Sequence, residues 1–405
     1  MQDQKKSHLL VLFLTVFLYL VGFGVIIPIL PVLSRDYGAS AFEVGVLMSL
    51  YSLMQFLFAP FWGGLSDRMG RRPILVGCLL GEGLTYILFA YADTLTGLFI
   101  ARALAGFFGA SISTASASIS DVTGPQERSK GMALIGAAFG LGFIVGPAMG
   151  GFLTQFGENL YGTTAAGIRL TLLSVAGLCF MTFIFGLAFL KESLLPENRN
   201  REKPTSRLQK LKDLGKEPVL GILVAAFFMA TFSMAAMEST LILFVGDRFN
   251  WGIVEVSYGF AYIGVLSTLN QGLIVRRLLP KLGERRLLVT GLLLMATSFG
   301  LIAVSSSIFI LAIAMTVLSF GTSFTNPSIM GSISLLVPTN RQGEAMGTAQ
   351  SAASMGRILG PLAGGFLYGQ FHPVSPFVMG ALVSISAFFL LRRNWKGLPN
   401  SAQQK

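Results

Sequence analysis

The chain has 405 residues, of which 53% are hydrophobic and only 12% charged, with a mean hydropathy of +0.69. That balance is too apolar for a soluble protein of this length and fits a polytopic membrane protein. The net charge of +11, from 30 Lys and Arg against 19 Asp and Glu, raises the question of a nucleic-acid partner, which the placement of the cations decides.

Apolar runs of about 20 residues suffice to cross a bilayer. The first, 9–33, is too long for a signal-peptide core and lacks a small-residue cleavage pattern, so it reads as a span. Runs 44–65 and 74–91 follow, separated by Gly63-Gly64-Leu65-Ser66-Asp67-Arg68-Met69-Gly70-Arg71-Arg72. A tight basic turn is expected there, because backbone leaving a helix must reach water or be buried in protein. Runs 95–119, 132–156 and 168–190 complete a first set of six. Segment 191–217 is charged and reads as a linker. Within it Leu208, Leu211 and Leu214 recur among cations, which suits either a short helix on an anionic leaflet or a solvated tether. Six more runs follow, at 219–245, 254–275, 287–304, 308–337, 345–369 and 374–391. The expected fold is thus an all-α membrane protein of 12 transmembrane helices, with halves at 1–190 and 218–405 joined by 191–217.

Lys and Arg are retained on the cytoplasmic side. The termini, the linker and every second loop hold Lys5, Lys6, Arg68, Arg71, Arg72, Arg128, Lys130, the cations of 191–216, Arg276, Arg277, Lys281, Arg285, Arg286, Arg341, Arg392, Arg393, Lys396 and Lys405. The opposite loops hold only Arg35, Arg169 and Arg248, while Arg102 and Arg357 lie within spans. Both termini are therefore expected in the cytoplasm. The basic charge is a topology signal, and no nucleic-acid partner is expected.

An internal repeat supports two halves. The stretch Gly142-Phe143-Ile144-Val145-Gly146-Pro147-Ala148-Met149-Gly150-Gly151-Phe152-Leu153 returns as Gly356-Arg357-Ile358-Leu359-Gly360-Pro361-Leu362-Ala363-Gly364-Gly365-Phe366-Leu367. More weakly, Gly70-Arg71-Arg72 is echoed by Gly283-Glu284-Arg285-Arg286. Parallel six-span repeats related by a pseudo-two-fold axis along the membrane normal produce this pattern, with a binding site near the midplane.

These motifs resemble the major facilitator superfamily, and within it the twelve-span drug/proton antiporters typified by the tetracycline exporters. Gly22 to Pro28 with Leu30-Pro31 resembles the first-helix signature. Tyr51 to Pro73 resembles the loop signature. Leu98 to Arg102 with Gly106 and Ala110 resembles the basic motif of the fourth helix, and Gly142 to Gly151 the antiporter motif of the fifth. The resemblance implies proton-coupled export of amphipathic small molecules by alternating access, in a bacterial-type inner membrane. Small-molecule substrate, protons and membrane lipids are the implied partners, on a monomer. It also implies a cytoplasmic gate made by Gly63, Asp67, Arg68, Gly70, Arg71, Arg72, Asp121 and Arg128, with Asp67 acting as a latch. Arg128 is a partner for Asp67 or Asp121 in this reading. The plain alternative for Arg68, Arg71 and Arg72 is that they anchor topology alone.

Spaced four apart, Gly142, Gly146 and Gly150 line one helix face and admit a close neighbour; Pro147 and Gly151 complete the motif. Buried charges are more informative, since an ionisable group at midplane costs at least about 2.5 kcal/mol. Four fall well inside spans, away from their ends: Glu82, Arg102, Glu238 and Arg357. Glu82, mid-span, is the first choice for a group that loads and releases a proton, with Arg102 tuning it and Glu238 in the same role or touching substrate. Arg357 replaces Phe143 of the first repeat and so breaks its symmetry. The substrate cavity is expected to involve Tyr19, Gln55, Glu82, Thr85, Glu238 and Arg357. Tyr19 and Thr85 stand where the tetracycline exporters carry acids, and span 287–304 has no acid, so a different amphipathic molecule suits this chain better than tetracycline.

No G-x-x-x-x-G-K-[ST] phosphate loop exists, which argues against an ATP-driven pump. His8 and His372 are the only histidines and lie in no metal-ligand cluster, while Cys78 and Cys179 fall inside apolar runs. Neither an enzyme, a metal nor a cofactor is expected. A proton-independent facilitator or an amphiphile flippase on the same scaffold is the alternative to antiport.

Overall fold

The computed structural model describes residues 2–122, 128–194, 217–338 and 341–399, without the side chains of residues 2–9, 11, 128–137, 139 and 143. The leucine pattern of the linker, 208–214, lies outside the described residues. Apart from one π-helical and one 3-10 turn, regular structure among the described residues is α-helical. In chain order the helices are α1 (Gln2–Asp36), α2 (Ala41–Met69), α3 (Arg71–Ala90), α4 (Leu95–Gly109), α5 (Ile112–Val122), α6 (Arg128–Tyr161) and α7 (Thr164–Phe189). After the linker come α8 (Pro218–Phe249), α9 (Ile253–Leu269), a π-turn (Asn270–Val275), α10 (Arg276–Ala303), α11 (Ile308–Leu336), α12 (Gln342–Gln370) and α13 (Ser375–Arg393), closed by the 3-10 turn Trp395–Gly397.

Among the described residues nine helical stretches are long and apolar enough to cross a membrane. One of them, Ile253–Ala303, has 51 residues and would run about 76 Å if straight, more than twice a bilayer core. It breaks at Gly283, whose φ of 76° no L side chain adopts readily, and so supplies two crossings. With the glycine-rich α6 and α12, the arrangement agrees with twelve. Leu95–Val122 is one crossing in two pieces, α4 and α5, interrupted at Ala110 and Ser111.

Local chemistry sets the helix starts. Thr94, Thr163 and Ser307 each accept the N–H three residues on, at 3.1, 3.3 and 3.3 Å. Ser40 and Glu43 form a reciprocal capping box at the start of α2: the Ser40 N–H donates to Glu43 Oε2 at 2.8 Å, and the Glu43 N–H to Ser40 Oγ at 3.3 Å.

The helices group into two compact units. One comprises Met1–Ala39, Leu50–Glu202 and Asn250–Tyr262; the other comprises Ser40–Ser49, Lys203–Phe249 and Ile263–Lys405. The same neighbours recur in each. In the first, α1 packs on α6, and α3 on α4 and α7; in the second, α8 packs on α12, and α10 on α11 and α13. The repeated glycine faces explain the first of these pairings. A Cβ on Gly142 would stand 2.7 Å from Leu20 Cβ, and one on Gly146 2.7 Å from Gly24 Cα. Across the corresponding seam, a Cβ on Gly356 would lie 2.9 Å from the Phe232 N, and one on Gly364 2.9 Å from the Ala236 carbonyl oxygen. Both seams are backbone-to-backbone contacts that only glycine permits. Gly150 faces Val25, Pro147 packs its ring against Gly24, and Gly151 faces Ser257 within the first unit.

Candidate functional site

In the first unit, α1, α2, α3 and α4 bring Tyr19, Tyr51, Glu82 and Arg102 together in the interior. Glu82 is 3% exposed and Arg102 2% exposed, inside helices whose other side chains are almost all apolar. The Arg102 guanidinium lies 4.6 Å from the centre of the Tyr51 ring and 5.8 Å from that of Phe23. These rings are themselves 4.9 Å apart, so the cation is held over an aromatic corner. The Tyr19 and Tyr51 hydroxyls are hydrogen-bonded to each other, and the Glu82 carboxyl interacts electrostatically with both Tyr19 and Arg102. Oε2 of Glu82 is buried and has no hydrogen-bond partner. An ionised carboxylate seldom leaves a buried oxygen without a donor.

The break between α4 and α5 supports this corner. A Cβ on Gly109 would stand 2.8 Å from the Tyr51 hydroxyl, so the missing side chain makes room for the tyrosine pair. Gln55 Nε2 donates to the Gly109 carbonyl at 3.1 Å, tying α2 to the same break. Thr85 donates to the Gly81 carbonyl of its own helix at 2.8 Å and is buried. Tyr86 closes the far side: its hydroxyl lies 3.0 Å from where a Cβ on Gly22 would stand.

A second charged pair lies in the second unit. Glu238 of α8 is half-buried and interacts electrostatically with Arg357 of α12, which donates to Ser354 Oγ at 3.0 Å. The glycine seam between α8 and α12 places them near each other, since Gly356 and Gly360 pack on Phe232, Ala235 and Ala236.

The basic turn is shorter than the sequence suggests. Gly63, Gly64, Asp67 and Arg68 belong to α2, and the chain reverses at Gly70 alone, with φ of 105°. Arg71, 7% exposed, bonds Asp67 at 2.6 Å, Asp121 of α5 at 3.1 Å and Ser66 Oγ at 2.6 Å. Arg71 thus holds both carboxylates, while the side chain of Arg128, the partner expected for Asp67 or Asp121, lies outside the described residues. The first N–H groups of α3 are met by Glu192, just after α7, whose carboxylate accepts the N–H of Arg71 at 2.9 Å and of Arg72 at 3.2 Å. Arg72 in turn donates to the Leu187 carbonyl at 2.6 Å. Sequence reading missed Glu192 because it opens a charged linker. Its signal was an acid within two residues of a span end, facing a turn that begins a helix.

These helices define a polytopic membrane carrier scaffold, with ionisable groups inside the helices of both units and a charged turn at the α2–α3 junction. Sequence comparison matches the Major Facilitator Superfamily over residues 12–283 and 272–404. The chain belongs to that family, and so to a class of transporters, not enzymes. It is 31% identical over 367 residues to the class H tetracycline resistance protein of Pasteurella multocida, covering 90% of this chain and 89% of that one. It is 33% identical over 366 residues to the class E protein of Escherichia coli, covering 87% and 86%. Its fold is similar to the crystal structure of the human organic anion transporter MFSD10, with a TM-score of 0.72 and 25% identity, covering 96% of this chain and 99% of that one.

Proposed function

We propose that the chain is a proton-coupled exporter of amphipathic small molecules that exposes its site alternately to the two sides of a bacterial-type inner membrane. The observation that carries this reading is the buried Glu82 carboxyl with one oxygen unpartnered, set among Tyr19, Tyr51 and Arg102. Glu82 loads the proton, Arg102 biases its charge state, and Glu238 with Arg357 is a second charged pair available to substrate or proton. Differential affinity of proton and substrate for the two states supplies the coupling. Tyr19, Gln55 and Thr85 belong to the substrate side of the same cluster. The tetracycline resistance relatives support export of drug-like molecules, while Tyr19 and Thr85 favour a substrate other than tetracycline.

The transport unit in this proposal is a monomer of two six-span halves, 1–190 and 218–405, joined by 191–217, with both termini cytoplasmic. The turn at Gly70, with Gly63, Asp67, Arg68, Arg71, Arg72, Asp121 and Arg128, serves as the cytoplasmic gate. Gly142, Gly146, Pro147 and Gly150 form a face that keeps α6 on α1, and Gly151 completes the motif against Ser257 of α9. The test is flux of a compound panel in proteoliposomes with internal pH recorded. A transported compound that moves protons the opposite way supports antiport; transport with no change in internal pH identifies a facilitator.

A further inference from the structure

The two pseudo-equivalent turns are neutralised differently. Gly70 and Gly283 both have positive φ, and two residues after each glycine an arginine donates to a carbonyl at the end of its half's sixth span. Arg72 reaches Leu187 at 2.6 Å, and Arg285 reaches Trp395 at 3.0 Å. In the first half three carboxylates, Asp67, Asp121 and Glu192, surround the turn. In the second half no ion pair to a carboxylate is made among the described residues by Arg276, Arg277, Lys281, Arg285, Arg286, Arg392, Arg393 or Lys396. Just after the last helix of the second half stands Trp395. Two guanidiniums pack on the indole, Arg285 at 4.3 Å and Arg392 at 5.2 Å from its centre. Arg285 Nε is buried without a hydrogen-bond partner.

We infer that Arg285, Arg392 and Trp395 form a binding site for the phosphodiester headgroup of an anionic phospholipid, which supplies the negative charge that Glu192 supplies in the first half. Charge and depth both argue for this occupant. Two cations held against one indole repel each other unless an anion joins them, and guanidinium matches phosphate oxygens with paired N–H donors. The site closes the span Ser375–Arg393, so it lies at the headgroup level, where tryptophan is favoured and each nearby cation contributes about 1 kcal/mol toward anionic lipid.

Purified full-length protein in mixed micelles carrying phosphatidylglycerol or phosphatidylcholine tests this, with bound lipid counted by native mass spectrometry. Phosphatidylglycerol is expected to bind preferentially at a saturable site. The Arg392 side chain makes no hydrogen bond among the described residues, so Arg392→Gln is expected to fold and to weaken binding about fivefold. Arg285→Gln with Arg392→Gln is expected to weaken it about thirtyfold. The charge-matched pair Arg276→Gln with Arg277→Gln is expected to stay within threefold of wild type. Equal losses in the two double variants, no preference over phosphatidylcholine, or displacement of the lipid by millimolar inorganic phosphate would each overturn the assignment.

Discussion

Replacing Glu192 with alanine removes one carboxylate that accepts four backbone N–H groups, from Arg71, Arg72, Ser193 and Leu194, at 2.9, 3.2, 3.0 and 2.9 Å. The first two begin α3 and have no partner within their own helix. An N-terminal acceptor is worth about 1 kcal/mol, and an anion at the positive end of the helix dipole about 0.3–1 kcal/mol more. Glu192 is solvent-exposed, so water takes over part of its role and the local loss is about 1.5 kcal/mol. That is roughly a tenfold rise in the opening equilibrium of the first turn of α3. Amide hydrogen exchange of the protein in lipid nanodiscs reads it directly. Arg71 and Arg72 are expected to exchange about tenfold faster, and amides around Glu82, about three turns further along α3, at the wild-type rate. Glu192→Gln keeps a neutral acceptor and is expected to fall between. Exchange of Arg71 and Arg72 within twofold of wild type in the alanine variant would refute the argument that Glu192 caps this helix.

The glycine seams predict that Gly146→Val and Gly360→Val each cost about 1–3 kcal/mol through overpacking, seen as a lower Tm in detergent. Gly140→Val, where a Cβ meets nothing within 4 Å, is expected to leave Tm unchanged. Tyr51→Phe keeps the ring under Arg102 while Tyr51→Leu does not, so the leucine variant is expected to be less stable than the phenylalanine one by about 1 kcal/mol in a denaturant titration. Arg71→Gln strips the ion-pair partner from Asp67 and Asp121 and is expected to lower substrate flux at least tenfold at normal expression; wild-type flux would remove the turn from gating.

Much of the fold was legible because membrane spans announce themselves by length and apolarity, and because the Gly142 repeat at Gly356 keeps its spacing. Both glycine faces meet backbone where their four-residue period placed them. Legibility failed where structure depends on a few polar atoms. The break at Ala110 and Ser111 interrupts a run that reads as one continuous span, and the π-turn at Asn270 is invisible to hydropathy. Gly63 and Gly64 looked like turn residues, yet α2 continues through them to Met69, since only Gly70 needs positive φ. Glu82 and Arg102 were found as charges in apolar runs. Tyr51 and Phe23, which hold Arg102, resemble ordinary span aromatics, and nothing local marks them apart from their neighbours.

Central to this account is that Glu82 couples proton movement to transport. Glu82→Gln keeps the shape and the hydrogen-bonding partners while removing the titratable group. In proteoliposomes loaded with a transported fluorescent amphiphile, the variant is expected to retain substrate binding and gradient-free exchange while losing uphill transport driven by a pH gradient. Uphill transport at the wild-type rate in the variant would contradict the account.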